Sequence, residues 1–313
     1  MPSIWVGLMG AQVLHGGNRY QGRYVEAGSG EPLILLHGQG GHVENFCRNI
    51  MPFARHFHVY ALDCVWHGYG PQPPFNPELI PTYVDQVLDF MDWKGIESAH
   101  FEGQSMGGWT AMHIALEHPE RTRKLVLTTA QGFVLHPEPG GKAKPGEEVG
   151  GLPGADVLKP FVSFLENPTQ ENIRLRLERL LARPELLPEE MVDVRRKIYT
   201  NPVMNRSLLQ VVKQYMGGPG SEPQKHLLTE TELARIKAPT LVYWSERNPV
   251  PPPAGELLAA AIPGAKHHLV ADTGHWAQFE NADEHNRVVL RFLTGDDKLE
   301  LPEESEEAGA AKA

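Results

Sequence analysis

The sequence predicts an α/β protein: a mostly parallel sheet flanked by helices, with a helical segment inserted into it. Three observations carry that expectation. Short apolar runs alternate with amphipathic stretches, the alternation stops between about Phe133 and Leu228, and the strand pattern resumes at Ala238. One core therefore flanks the insertion.

Taken in order, the strand candidates are "PLILLH" from Pro32, "FHVYAL" from Phe57, "SAHFEG" from Ser98, "KLVLTT" from Lys124, "PTLVYWS" from Pro239 and "KHHLVA" from Lys266. Each is short, rich in branched or aromatic residues, and bounded by Gly, Pro or Asp, the pattern of a buried strand. The helix candidates between them include "YVDQVLDFMDW" from Tyr83 and "WTAMHIALEH" from Trp109. The insertion opens with the Gly- and Pro-rich linker "HPEPGGKAKPGEEVGGLPGAD". It continues with "QENIRLRLERLLARPELLPEEMVDVRRKIY", whose helical periodicity breaks at its prolines, and closes with the loop "GGPGSEPQ" from Gly217. The expected organisation is a core over residues 1–132, a helical cap over 133–228, the rest of the core over 229–295, and a tail over 296–313. The tail, "DDKLELPEESEEAGAAKA", has the acidic, Ala- and Gly-rich composition of a solvated, disordered segment.

With 313 residues, 41% apolar and 22% charged, the chain can bury a large core. Its formal net charge of -10 argues against a nucleic-acid partner, because phosphate binding needs clustered Lys and Arg. Two cysteines, Cys47 and Cys64, are too few for a disulfide framework and suit a reducing compartment. The start lacks a basic segment followed by an apolar run, and no apolar stretch approaches the ~20 residues that span a bilayer. A cytoplasmic enzyme with no membrane partner is the expectation.

The segment "GQSMGGW" places Gly103, Ser105 and Gly107 in the G-x-S-x-G spacing, after a strand candidate and at the start of a helix candidate. Glycines there permit a tight turn that holds a serine Oγ out of the sheet, and the helix N-terminus favours developing negative charge. The N–H of Met106 is then one oxyanion donor. "LLHGQGG" from Leu35 ends another strand candidate and offers the N–H of Gln39 or Gly40 as the second. Among fifteen histidines, His275 in "DTGHWAQFENADEHN" is the base candidate, because Ser, acid, then His after the last strand is the order of the α/β-hydrolase fold. His56, His58, His267 and His268 lack metal-ligand spacing and read as structural.

On these segments the sequence resembles the α/β-hydrolase superfamily from roughly Gly22 to Leu293. More narrowly it resembles the meta-cleavage product hydrolases, which split carbon–carbon bonds in ring-fission products of aromatic catabolism. "ENFCRNI" puts Asn45 and Arg48 in the family's places, and "GQSMGG" resembles its elbow, with Gln104 where the family usually has Asn. "LLPEEMVDVRRKIYTNP" is similar to the cap helix whose arginine holds the substrate carboxylate, here Arg195. "GHWAQFENADEHNRVVLRFL" places Trp276 beside His275 as in the family. The resemblance implies a mostly parallel eight-stranded sheet with an inserted cap, a vinylogous diketone acid as substrate, no metal or organic cofactor, and a homo-oligomer. Arg195 also has a plainer reading as part of a solvated helix face.

Three departures stand against a full carry-over. The loop "HGQGGHVEN" is shorter than usual, bulky Trp66 replaces a small residue, and "SERNPVPP" has Asn248 where the family has its acid. Asparagine accepts a hydrogen bond from imidazole but cannot support an imidazolium by charge. A working Ser-His-Asn arrangement, a substitute carboxylate such as Glu246 or Asp272, and an engineered inactivation all remain open. So do two other functions: a carboxylesterase or lactonase using the same serine on a small acyl substrate, and a non-hydrolytic ligand-binding protein or cofactor-free lyase or oxygenase on the same fold.

Overall fold

A computed structural model of the chain describes residues 3–137, 148–152, 154–216 and 221–299. Along the chain run β1 (Gln12–Gly16), β2 (Gly22–Gly28), β3 (Pro32–Leu36), α1 (Ile50–Ala54), β4 (His58–Leu62), α2 (Leu79–Lys94), β5 (Ala99–Gln104), α3 (Met106–Glu117) and β6 (Thr122–Thr128). A two-residue-by-two-residue hairpin, β7 (Val134–Leu135) and β8 (Val149–Gly150), leads into α4 (Ala155–Glu166), α5 (Gln170–Glu178), α6 (Glu189–Thr200), α7 (Pro202–Tyr215) and α8 (Glu222–Lys225). The chain ends with α9 (Glu230–Leu233), β9 (Thr240–Ser245), α10 (Pro252–Ala261), β10 (Lys266–Val270), α11 (Ala277–Glu280) and α12 (Ala282–Thr294).

Eight strands form one sheet in the order β1-β2-β4-β3-β5-β6-β9-β10. All pairings from β4 onward are parallel, and β2 pairs antiparallel with both β1 and β4. The six apolar runs read from the sequence are the six parallel strands. Leu33, Ile34, Leu35 and Leu36 of β3 are fully buried, as continuous apolar runs covered by helices on both faces must be. The two strands the sequence reading missed, β1 and β2, have polar residues interleaved and, in β1, no buried residue at all. An antiparallel edge with a wet face carries no continuous apolar run to detect.

The chain leaves the sheet and returns to it at one point: Phe133 bridges Leu228, with Val134 N donating to Leu228 O and Leu228 N to Gly132 O, both at 2.9 Å. Between these residues α4 to α7 pack Phe161, Leu165, Ile173, Leu177, Met191, Ile198, Val211 and Val212 into the same apolar cluster as the sheet. Pro184 and Pro188 separate α5 from α6, where a helical turn cannot propagate through their missing N–H groups. Trp66 is fully buried against Phe75 and Tyr83, with Nε1 donating to Pro73 O at 3.1 Å, so its bulk fills the core.

The tail expectation needs a correction over its first four residues. Arg291 Nε donates to Leu299 O at 3.0 Å, and Leu299 packs against the cluster that includes α1 and α12 residues. An acidic average composition hides a single apolar residue that finds a place. The rest of the tail, residues 300–313, and parts of the two Gly-rich stretches, 138–147 and 217–220, lie outside the described residues. No helix among the described residues is long and apolar enough to cross a membrane.

Candidate active site

Ser105 stands between the end of β5 and the first residue of α3, with φ 56° and ψ −117°. A non-glycine residue at that φ is held there against its own preference by the surrounding structure. Ser105 N donates to Thr128 O at 3.1 Å, and its carbonyl accepts from Trp109 N and Gln131 N, so backbone bonds on both sides fix the turn. Gly107 is required by close approach: a Cβ there would lie 2.0 Å from Leu36 O of the neighbouring strand. The helix can start this near the sheet only without that carbon.

The loop after β3 lies directly against this elbow. A Cβ on Gly38 would sit 2.9 Å from Ser105 Cβ and 2.4 Å from Gln104 Oε1. Gly41 N donates to Gly38 O at 2.9 Å, closing a tight turn. The backbone N–H groups of Gln39, Gly40 and Met106 have no acceptor among the described residues. His37, which the sequence reading passed over, holds the loop from behind. Its Nδ1 donates to Gly38 O at 2.8 Å while Nε2 accepts from Cys64 N at 3.0 Å. Burial pushes its pKa down to about 3, so it stays neutral and keeps one tautomer.

His275 Nδ1 donates to Asn248 Oδ1 at 2.8 Å, which leaves Nε2 with its lone pair. Glu246 and Asp272 do not substitute for it. Glu246 accepts from the Asp272 amide at 2.8 Å, Asp272 pairs with Arg247, and both carboxylates are exposed. The reading of a replacement carboxylate is therefore corrected: Asn248, buried on the loop after β9, is the partner of the ring. With no acid beside it, His275 is pushed down to about 4 by burial and then by the charge of Arg176. Ser105 Oγ and the imidazole make no hydrogen bond with each other; such contacts often tighten only once substrate is bound.

The loop carrying His275 is clamped on two sides. Its carbonyl accepts from Thr129 Oγ1 at 2.9 Å and from Gln104 Nε2 at 3.2 Å, which fastens it to the strand ends around Ser105. Gln104 thus braces one loop against another. On the cap side, His275 N (2.7 Å) and Trp276 N (3.2 Å) both donate to Leu180 O. The buried Glu280 carboxylate gathers N–H groups from Gly274 (2.7 Å), Ala182 (3.1 Å) and Arg183 (2.7 Å). Glu280→Gln turns an NH₂ toward these donors and is expected to cost about 1–3 kcal/mol. Thermal unfolding measures it, and an unchanged melting temperature would show that the clamp carries no strain-bearing load.

Arg195 is buried, so its reading as a solvated helix face is corrected. Nη1 donates to Gly40 O and to Tyr199 Oη, Nη2 donates to Asn45 Oδ1 at 3.2 Å, and the guanidinium lies 5.5 Å from the centre of the Trp276 ring. Every acceptor is neutral, and Nε has none. Arg48 sits elsewhere: its Nη1 donates to Phe279 O at 2.7 Å, binding the loop after β3 to α11. Among the described residues no group of three or more His, Cys, Asp or Glu could hold a metal ion.

A serine at a strained strand-to-helix turn, beside free amide donors from the neighbouring strand's loop and on a sheet of this order, is the architecture of an α/β hydrolase. The alpha/beta hydrolase fold family model matches residues 31–282. The chain is 33% identical over 294 residues to the 2-hydroxy-6-oxononadienedioate/2-hydroxy-6-oxononatrienedioate hydrolase of Paraburkholderia phymatum, covering 90% of this chain and 93% of that one. It is 32% identical over 285 residues to the 2-hydroxy-6-oxo-6-phenylhexa-2,4-dienoate hydrolase of Comamonas testosteroni, covering 86% and 90%. The solved structure of the 2-hydroxy-6-oxo-6-phenylhexa-2,4-dienoate hydrolase of a Rhodococcus species superposes with a TM-score of 0.76 at 23% identity, over 91% of this chain and 99% of that one. The chain belongs to the α/β-hydrolase family and, within it, to the meta-cleavage product hydrolases.

Proposed function

We propose that the enzyme hydrolyses a carbon–carbon bond in a vinylogous diketone acid formed by meta ring fission. The observation that carries this reading is Arg195, a buried cation against the loop after β3 and beside Trp276, whose acceptors are all neutral. A buried charge of this kind calls for an anion, and a planar guanidinium suits a carboxylate. The named activities of the relatives point to the same substrate class.

In this reading Arg195, with Asn45 and Trp276 around it, holds the substrate's C1 carboxylate. His275 Nε2 assists the shift of the dienol to its keto form and then takes the proton of Ser105 as Oγ adds to the C6 carbonyl. The oxyanion lies against the N–H groups of Met106 and of Gln39 or Gly40. The C5–C6 bond then breaks, its electron pair delocalising through the C3–C4 double bond to the C2 oxygen, which takes the proton and leaves C5 as the end of a new C4–C5 double bond. Water releases the acid from Ser105. The sum is one water consumed, with a dienoic acid and a second acid formed, and no cofactor takes part. Two buried free cysteines suit a reducing cytoplasm, and family habit points to a homo-oligomer.

A panel of a ring-fission dienoate and p-nitrophenyl esters tests the reading. Loss of dienoate absorbance with kcat/KM above that for the esters is the expected result. Turnover of the esters alone would replace it with a carboxylesterase.

A further inference from the structure

A second cap arginine lies close to the same residues. Arg176 of α5 stacks its guanidinium 4.4 Å from the centre of the Phe161 ring. Phe161 in turn lies on the loop after β3, its Cζ 2.6 Å from where a Cβ on Gly40 would stand. Arg176 is close enough to His275, Tyr199 and Arg195 to act on each electrostatically. Its Nε is buried without an acceptor, and no hydrogen bond or ion pair engages the side chain among the described residues.

Its neighbours behave differently. Arg174 pairs with Glu178 at 3.7 Å and with Glu189, and Arg183 pairs with Glu280 at 3.4 Å. Arg174 and Arg183 have acids; Arg176 has none among the described residues. Burial, partly offset by Tyr199 and reinforced by Arg195, lowers its pKa to about 10, which leaves it charged at neutral pH. Two cations therefore repel each other, and no carboxylate among the described residues pairs with either. An apolar group seated against Arg176 would strip its remaining solvent and leave the charge unpaired, whereas an anion would relieve both the desolvation and the repulsion.

We propose that Arg176 binds a second carboxylate on the substrate, at the end away from the acid held by Arg195, and so makes the enzyme selective for dicarboxylates. The reaction is that of the carbon–carbon reading above, on which the proposal rests; the second charge rests on Arg176. Hydrolysis of a nine-carbon dioate between C5 and C6 then leaves succinate as the acid from the C6 side.

The test compares 2-hydroxy-6-oxononadienedioate with 2-hydroxy-6-oxo-6-phenylhexa-2,4-dienoate on wild type, Arg176→Met and Arg176→Lys. The ratio of kcat/KM for the dioate over the phenyl acid is expected to fall by about tenfold to a hundredfold in Arg176→Met, mainly through KM for the dioate, with part restored in Arg176→Lys. An unchanged ratio overturns the proposal. Calorimetric titration with succinate and with butyrate separates it from the reaction itself. Wild type binding succinate more tightly, with the difference lost in Arg176→Met, supports the proposal even where neither dienoate is cleaved. Equal binding by the two proteins overturns it. The melting temperature of Arg176→Met is expected to be no lower than that of wild type, since an unpaired buried charge has gone; a clear fall would place Arg176 in the scaffold instead.

Discussion

Ser105→Ala is expected to lower kcat by about 10⁶, the scale on which a serine protease responds to loss of its nucleophile. The substitution removes one oxygen from a turn whose backbone bonds to Thr128, Trp109 and Gln131 remain, so the fold and the amide donors survive. Substrate affinity should therefore persist, because Arg195 and Trp276 are untouched. Single-turnover measurements would show a bound dienoate that is not cleaved. A variant retaining more than about one hundredth of the wild-type kcat would mean that the histidine activates water directly, since nucleophile loss costs far more than that. Full retention would favour a non-hydrolytic protein.

Asn248→Asp is expected to raise kcat at neutral pH by up to about 10⁴-fold, the factor a serine protease loses in the reverse change. The geometry is already in place, with 2.8 Å between Asn248 Oδ1 and His275 Nδ1, so a carboxylate oxygen can occupy the same position. What the amide lacks is charge to support the imidazolium that the proposed mechanism forms when Ser105 gives up its proton. The sign of the pH effect follows. In the native protein His275 has a pKa of about 4, below the ordinary 6.5, so the acid limb of the rate profile lies near pH 4. An aspartate raises that pKa, and the limb moves to higher pH. The unfolded chain binds more protons than the native one between about pH 6.5 and 4, so burying His275 neutral makes the protein lose stability as pH falls through that window. A profile that does not move, with kcat unchanged or lower, would establish asparagine as the operating partner, as in papain-like enzymes.

Much of the sheet was legible because β3, β4, β5, β6 and β9 are buried along most of their length, which favours short apolar runs, while β10, exposed at Lys266 and Leu269, showed itself by its bounded run alone. The edge pair β1 and β2 was not, since one face meets water and the apolar signal halves. Ser105 could be singled out because its turn demands glycines at fixed offsets, and Gly107 shows the demand as a 2.0 Å approach to Leu36 O. Asn248 was visible only as a departure from a pattern; that it rather than Glu246 or Asp272 meets His275 depends on how the loop after β9 folds, which no local spacing encodes. Arg176 lay hidden in "QENIRLRLERLL", where five charged residues look alike until helix packing turns one inward. Arg195 could be aligned to a family position, yet its burial comes from the same packing. Glu280 and Leu180 join segments about a hundred residues apart, and nothing in either stretch announces the meeting.

The bonds from His275 and Trp276 to Leu180 have a kinetic meaning. A cap swinging outward as a lid would drag the imidazole away from the serine, so an opened molecule is a disarmed one. Guest admission and proton transfer would then not overlap in time, and an acyl group on Ser105 would wait for its base until the cap returned.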